Sequence, residues 1–181
     1  MNETLVKKIK WFWAWQDVKE EAWLEEMARQ GLHLKSPGAF GHYIFVQGEP
    51  RRMAYRFDFV TSPKKDEAYF QLFRDAGWEH VGELGGWQYW RKPVEAGQSP
   101  EIFTDVHSKV QKYERLAAFL LIFIPIFVVN FINFGDIYNR NRPPFGQGLI
   151  DGIYGISLVM FMIIAVSLIM IVRRIFVLKQ K

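Results

Sequence analysis

Arg56 and Asp58 stand two positions apart in the segment MAYRFDF, a spacing that puts both side chains on one face of an extended chain. With Arg51 and Arg52 upstream and His42 as a third titratable partner, they could form a polar site of unfamiliar type. Cross-strand charge pairing accounts for the same two residues equally simply. The four histidines, His33, His42, His80 and His107, include no HExxH motif and no helical i,i+4 pair, so they read as surface or hydrogen-bonded residues rather than metal ligands. The chain has no cysteine, which removes thiolate catalysis, disulfides and Cys-ligated metal centres. GxSxG, Walker and GxGxxG signatures are also absent. These residues predict a protein that is not an enzyme and needs no metal or other cofactor.

Aromatic side chains give the stronger signal. All seven tryptophans, Trp11, Trp13, Trp15, Trp23, Trp78, Trp87 and Trp90, fall in the first half of the chain, with Tyr43, Tyr55, Tyr69 and Tyr89 among them. Rings of this size can fill a small core, or they can line a groove that takes an apolar ligand, a peptide strand or a partner domain. Phe12 and Trp90 are the candidate binding residues, because each alternates onto the face opposite the other tryptophans of its strand.

The elements that must hold these side chains follow from periodicity. Ile9, Trp11, Trp13 and Trp15 alternate with Lys10, Phe12 and Ala14, and Met53, Tyr55, Phe57 and Phe59 alternate with Ala54, Arg56 and Asp58; each series predicts a strand. Asp17 followed by Glu20 resembles a helix cap with its capping-box partner, opening a helix that carries Trp23, Leu24, Met27 and Ala28 and closes at Gly31. Ser62-Pro63 begins a second helix with Tyr69, Leu72, Phe73 and Ala76, closing at Gly77. Extended segments at Leu32–Lys35, Tyr43–Gln47, Trp78–Glu83 and Trp87–Arg91 complete the pattern, with Gly85-Gly86 as a hairpin turn. The expected fold class is α+β: a ferredoxin-like-type duplicated β-α-β-β domain over 1–93, followed by a two-helix transmembrane hairpin.

Two long runs, Leu116–Phe134 and Ile153–Val172, contain no charged residue and can each cross a hydrocarbon core of roughly 30 Å as a helix. Pro125 should kink the first. Asn130, Asn133 and Asp151 lie toward the outer ends, where headgroups and water can meet them. Gly148, Gly152 and Gly155 form a small-residue side on the second helix, which could bring the spans close or support a homodimer. The formal charge is +4, but residues 1–93 hold 14 Lys/Arg against 13 Asp/Glu while 94–181 hold 9 against 6. The excess beside the spans fits the positive-inside rule better than nucleic-acid binding. Lys109, Lys112 and Arg115 precede the first span and Arg173, Arg174, Lys179 and Lys181 follow the second, so both termini are expected in the cytoplasm of a multi-pass cell-membrane protein. Arg140 and Arg142 in the connecting loop oppose that bias. Residues 94–115 are expected to form a linker and a juxtamembrane helix, either lying on anionic headgroups or extending the first span, and 173–181 a basic tail. The N-terminus lacks the apolar core and cleavage site of a signal peptide.

The aromatic opening KIKWFWAWQDVKEEAWLEEMARQGLHL, the YRFDF strand and the ending AGWEHVGELGGWQYWRK resemble a group of uncharacterised bacterial membrane proteins over about residues 5–92. That family, common in Gram-positive bacteria, has this domain followed by hydrophobic spans and is often encoded beside PadR-like transcriptional regulators. The resemblance implies a setting and brings no catalytic residues with it. The expected function is a membrane-anchored cytosolic interaction or sensory module acting through its aromatic sheet. The alternative is a receptor for a small amphipathic ligand in an aromatic pocket, with a membrane enzyme as a third reading. A bilayer and a protein partner are the expected associates, and no nucleic acid.

Overall fold

A computed structural model of the chain describes residues 4–61, 67–95, 100–103, 105–138 and 144–180. The chain divides into two compact units, Met1–Lys112 and Tyr113–Lys181.

In the first unit the order β-α-β-β occurs twice. Strand β1 (Leu5–Ile9), helix α1 (Asp17–Arg29), β2 (Leu32–Pro37) and β3 (His42–Gln47) make one half; β4 (Met53–Phe59), α2 (Glu67–Asp75), β5 (Glu79–Leu84) and β6 (Trp87–Pro93) make the other. Each half forms a three-stranded antiparallel sheet with the same order, β1-β3-β2 and β4-β6-β5. The correspondence extends to irregularities. Each helix is followed by a glycine in the left-handed region, Gly31 or Gly77, at φ +80°. Each succeeding strand then bulges at its centre, at Lys35 in β2 and Val81 in β5. The same interval along the chain separates Gly31 from Gly77 and Lys35 from Val81, so the repeat expected from element order is present in the backbone.

The β5–β6 turn is Gly85-Gly86, both at positive φ, as a two-residue hairpin requires. A Cβ on Gly86 would also stand 2.9 Å from the Phe59 ring. One core unites α1 with both sheets: Leu24 and Ala28 from the helix, Leu34, Tyr43 and Phe45 from the first sheet, and Met53, Tyr55, Phe57 and Tyr89 from the second. The opposite face of the second sheet has its own cluster, in which Ala54, Phe73, Trp78 and Trp90 pack beneath α2 with Tyr69 and Phe70. Period-2 alternation thus sends Trp87 and Tyr89 to one core and Trp90 to the other.

Three local expectations need correction. The first strand ends at Ile9, and Trp11, Trp13 and Trp15 follow it in irregular backbone and a turn. There the rings stack on one another, Trp13 on Trp15 with centroids 5.3 Å apart and planes 5° from parallel, in place of the sheet alternation that the spacing suggests. Asp17 is the first helical residue and not the cap; Gln16 holds that position, and its side-chain oxygen accepts the Trp13 N–H at 3.1 Å. Helix α2 is described from Glu67, so the expected Ser62-Pro63 start lies outside the described residues, and Leu72 is 67% exposed instead of facing the packed side.

Helix α3 (Val106–Leu121) begins where Asp105 accepts the Ser108 N–H at 2.7 Å. It runs without a break to Leu121. Ile102 and Phe103, just before it, pack against the α2 cluster. The helix stops at Leu121, and α4 (Ile124–Tyr138) starts one residue before Pro125. Proline has no N–H to give the Leu121 carbonyl, which explains the break at the position the sequence marks.

Within the second unit α4 packs antiparallel to α5 (Pro144–Lys179): Phe127 meets Phe161, Phe131 meets both Tyr154 and Phe161, and the Tyr154 hydroxyl donates to the Asn130 carbonyl at 2.6 Å. Two stretches, Val106–Asn133 and Asp151–Lys179, are long and apolar enough to cross a membrane. Helix α4 reaches Tyr138 and α5 starts at Pro144; Arg140 and Arg142 lie outside the described residues. The expected tail after residue 172 is the last two turns of α5. An added Cβ on Gly148, Gly152 or Gly155 would meet nothing within 4 Å, so these glycines do not mediate the α4–α5 approach.

Candidate functional site

Helix α1 places Asp17 and Glu20 in its first turn, where carboxylates favour the positive end of the helix, and Glu21 directly after it. Their spacing aligns them with Leu24 and Ala28 on the buried face, so all three acids are carried inward, to exposures of 8% or less. Each is met by a specific partner. Glu20 Oε1 accepts both the Tyr43 hydroxyl at 2.7 Å and the Tyr89 hydroxyl at 2.8 Å, one phenol from each half. Asp17 Oδ2 accepts Lys112 Nζ at 2.7 Å. Glu21 Oε1 accepts the Phe57 N–H at 3.0 Å, while Lys112 also donates to the Phe57 carbonyl. Strand β4 lies at a sheet edge, so the backbone groups it turns away from β6 need other partners, and at Phe57 these two side chains supply them.

Burial raises the Glu20 carboxyl above its usual range against the opposing phenol hydrogen bonds. Glu21 is pushed up to about 8, burial again outweighing the pull of Lys112 and Arg56. The Tyr43 and Tyr89 hydroxyls are held well above the ordinary phenol value by burial and by the Glu20 charge.

Above Asp17 and Glu20 lies a cavity of about 270 Å³. Trp11, Phe12, Trp13, Phe40 and Trp87 supply rings to its walls, and Asp17, Glu20, Tyr43 and Tyr89 its polar groups; among the described residues no lysine, arginine or histidine lines it. The rim is exposed to an extent unusual for large rings: Phe40 is 80% accessible, Trp11 56% and Trp13 37%. Phe40 is also the one non-glycine residue at positive φ among the described residues, at +57°. A bulky side chain resists that conformation. The neighbouring Gly41 shares it, and a Cβ there would stand only 2.6 Å from the Lys10 carbonyl oxygen. The turn therefore holds Phe40 outward at a conformational cost.

A second depression of about 570 Å³ runs between β2 and β5 and is lined by Lys35, Arg51, Arg52 and Arg91 with Glu49 and Glu79. Arg91 there is engaged by both Glu79 oxygens, at 2.8 and 2.6 Å, and by the Leu34 carbonyl, so it ties the two halves together.

Of the residues singled out by sequence, Phe12 lines the aromatic cavity and packs on Trp23, with ring centroids 5.7 Å apart. Trp90 is a correction. It is completely buried beneath α2, against Phe73 at 4.5 Å, because the face opposite the main core is itself covered. Arg56 and Asp58 do not form a shared open site. Arg56 bonds Glu25 at 2.6 Å and approaches Glu101 at 3.6 Å, and buried Asp58 takes the Phe59 N–H and the Tyr69 hydroxyl. Arg56 thus pairs with a carboxylate of α1 and with Glu101, and Asp58 joins its own strand to α2.

Lys112 is likewise no headgroup ligand, being 7% exposed and committed to Asp17. Lys109 pairs with Glu101 at 3.1 Å; Arg115 and Arg174 are half-buried and Arg173 is exposed. The histidines hydrogen-bond locally: His33 to the Glu49 carbonyl, His42 to that of Ala39, His80 to Gln88 and His107 to Gln111. No metal-binding group of acids and histidines occurs among the described residues. Sequence reasoning missed the buried acids and the Tyr43–Glu20–Tyr89 bridge. The available signal was the placing of Asp17, Glu20 and Glu21 in register with Leu24 and Ala28.

No curated protein and no solved structure matches the chain. A family model described as a protein of unknown function, DUF2812, matches residues 16–124, which takes in the acids of α1, both sheets from β2 onward and α3, and starts just after the Trp11–Trp15 segment. The match spans well over half of the chain, which therefore belongs to the DUF2812 family.

Proposed function

We propose that the first unit is a non-enzymatic sensory domain, held at the cell membrane by the two apolar helices, that takes a small amphipathic molecule into its aromatic cavity. The observation that carries this reading is the cavity itself: exposed rings at the rim, buried phenols and carboxylates at the floor, and a volume of about 270 Å³, just under the usual span of small-molecule sites and suited to a small molecule. The rival reading, a docking face on the sheet, loses one of its two candidate residues, since Trp90 is buried in the core.

In this proposal both termini are cytoplasmic, and the ligand is read on the cytoplasmic side. The resemblance to Gram-positive membrane proteins encoded beside PadR-like regulators supplies the output, a regulator whose availability follows occupancy of the cavity. The helices confine the sensor to the surface where amphipathic compounds accumulate, which raises their effective concentration.

The test is saturation-transfer NMR on full-length protein in non-ionic detergent with 4-phenylbutanol as the probe. Ala14 lines the cavity, so Ala14→Trp fills it. Transfer to the probe that disappears in Ala14→Trp supports the reading. Equal transfer in wild type and variant, reflecting detergent partitioning alone, overturns it.

A further inference from the structure

The cavity combines two features that select for charge. Its rings present electron-rich faces, which attract cations, and its ionisable lining is acidic throughout, Asp17 and Glu20 together with the phenols of Tyr43 and Tyr89. We infer that the ligand of this cavity is an amphipathic organic cation, an ammonium group on an apolar body, with Glu20 as its counter-ion and the Trp11, Trp13 and Phe40 rim around the apolar part. This inference rests on the proposed ligand-binding function and specifies its chemistry.

Glu20 takes this role because Asp17 is already committed to Lys112. Both phenols bond Oε1 of Glu20, so Oε2 is the oxygen that meets the ammonium group. Tyr43 and Tyr89 fix the carboxylate from two sides, and that preorganisation spares the ligand the cost of ordering it. The cavity's own rings show the preference internally: Lys10 Nζ lies 5.3 Å from the centroid of Phe12, and Lys112 Nζ 5.9 Å from that of Trp87. Neither ammonium lines the cavity, and Lys112 is neutralised by Asp17. An anionic amphiphile would set its charge against Glu20, while the nearest ammonium, Lys112, is already bonded to Asp17, a repulsive element that sharpens selection.

A matched series on one scaffold tests the inference: 4-phenylbutylammonium, 4-phenylbutanol and 4-phenylbutanoate titrated calorimetrically into the full-length protein in non-ionic detergent, with Ala14→Trp as the partitioning reference. The expected order is ammonium at least tenfold tighter than alcohol, with no saturable binding of the carboxylate. Glu20→Gln should weaken the ammonium at least tenfold and abolish its advantage over the alcohol. Wild-type protein alone decides the matter if that variant fails to fold. Alcohol and ammonium binding equally, or carboxylate binding best, overturns the cation inference and leaves the cavity as a ligand site. Failure of all three to bind overturns both.

Discussion

The two halves of the first unit share strand order, helix placement and bulge position, yet they use their aromatic residues in opposite ways. In the second half, Trp78 and Trp90 are sealed between sheet and helix α2. In the first, Trp11 and Trp13 stand in irregular chain before the helix, more than a third exposed, and curve around the carboxylates of α1. The difference arises before the helix. Strand β1 stops at Ile9 and spends the next residues on a turn, whereas β4 runs on to Phe59. A shortened strand in one copy of the repeat has left rings and acids facing a common space, and the other copy shows what the same architecture does when its strand is completed.

The strongest way to break this contrast is to delete a ring from each half. Trp90→Ala should cost about 3–5 kcal/mol in unfolding free energy, as removal of a buried tryptophan does. Trp13→Ala, stacked on Trp15 but partly in solvent, should cost no more than about 1 kcal/mol. Urea unfolding of the full chain followed by near-ultraviolet circular dichroism reads both, and equal losses would dissolve the distinction between core and cavity.

A comparable effect is expected at the floor. Lys112→Met removes the ammonium paired with the Asp17 carboxylate, 2% exposed, and should destabilise by about 3–5 kcal/mol. Adding Asp17→Asn should recover more than half of that loss, since the double variant buries no uncompensated charge. A double variant as unstable as the single one would show that Lys112 acts through packing alone.

A smaller effect concerns pH. Glu21 has its carboxyl raised from an ordinary 4.5 to about 8, so the folded protein retains a proton that the unfolded chain releases. Its contribution is fully present below pH 4.5 and is lost as pH rises toward 8; Glu20, also raised, works in the same sense. Glu79, lowered by Arg91, has the opposite sign, but its contribution is lost only as pH falls below the usual carboxylate range. Melting temperature should therefore fall between about pH 5 and 8, and Glu21→Gln, which keeps an acceptor for the Phe57 N–H, should flatten the slope. A melting temperature that rises across this interval would contradict the burial-dominated shift.

The smallest expected change separates function from stability. Phe40→Gly relieves a left-handed conformation and should leave stability unchanged or raise it by about 1 kcal/mol, while weakening binding of 4-phenylbutylammonium severalfold. Thermal melts paired with calorimetry would show whether both halves of that expectation hold.

Most of the fold is legible in the sequence because its determinants are local. Met53 to Phe59 alternates cleanly and forms β4 with those bounds, Gly85-Gly86 makes the turn its type demands, and Pro125 marks the break between α3 and α4. The candidate site is less legible because it depends on contacts far apart in sequence. Glu20 meets Tyr89, and Asp17 meets Lys112, across most of the first unit. Lys112 reads as a headgroup ligand because charge beside an apolar run usually is one, and only the folded chain brings a buried carboxylate to it. Alternation puts Trp90 on the correct face, but whether that face is open or covered depends on where α2 packs, which alternation does not specify.

The most direct measurement is fluorine NMR of full-length protein carrying 5-fluorotryptophan at all seven positions, titrated with 4-phenylbutylammonium. Saturable shifts at Trp11, Trp13 and Trp87, with Trp78 and Trp90 unmoved, are the predicted result. Shifts centred on Trp78 and Trp90, or none at the three cavity residues, would contradict the account.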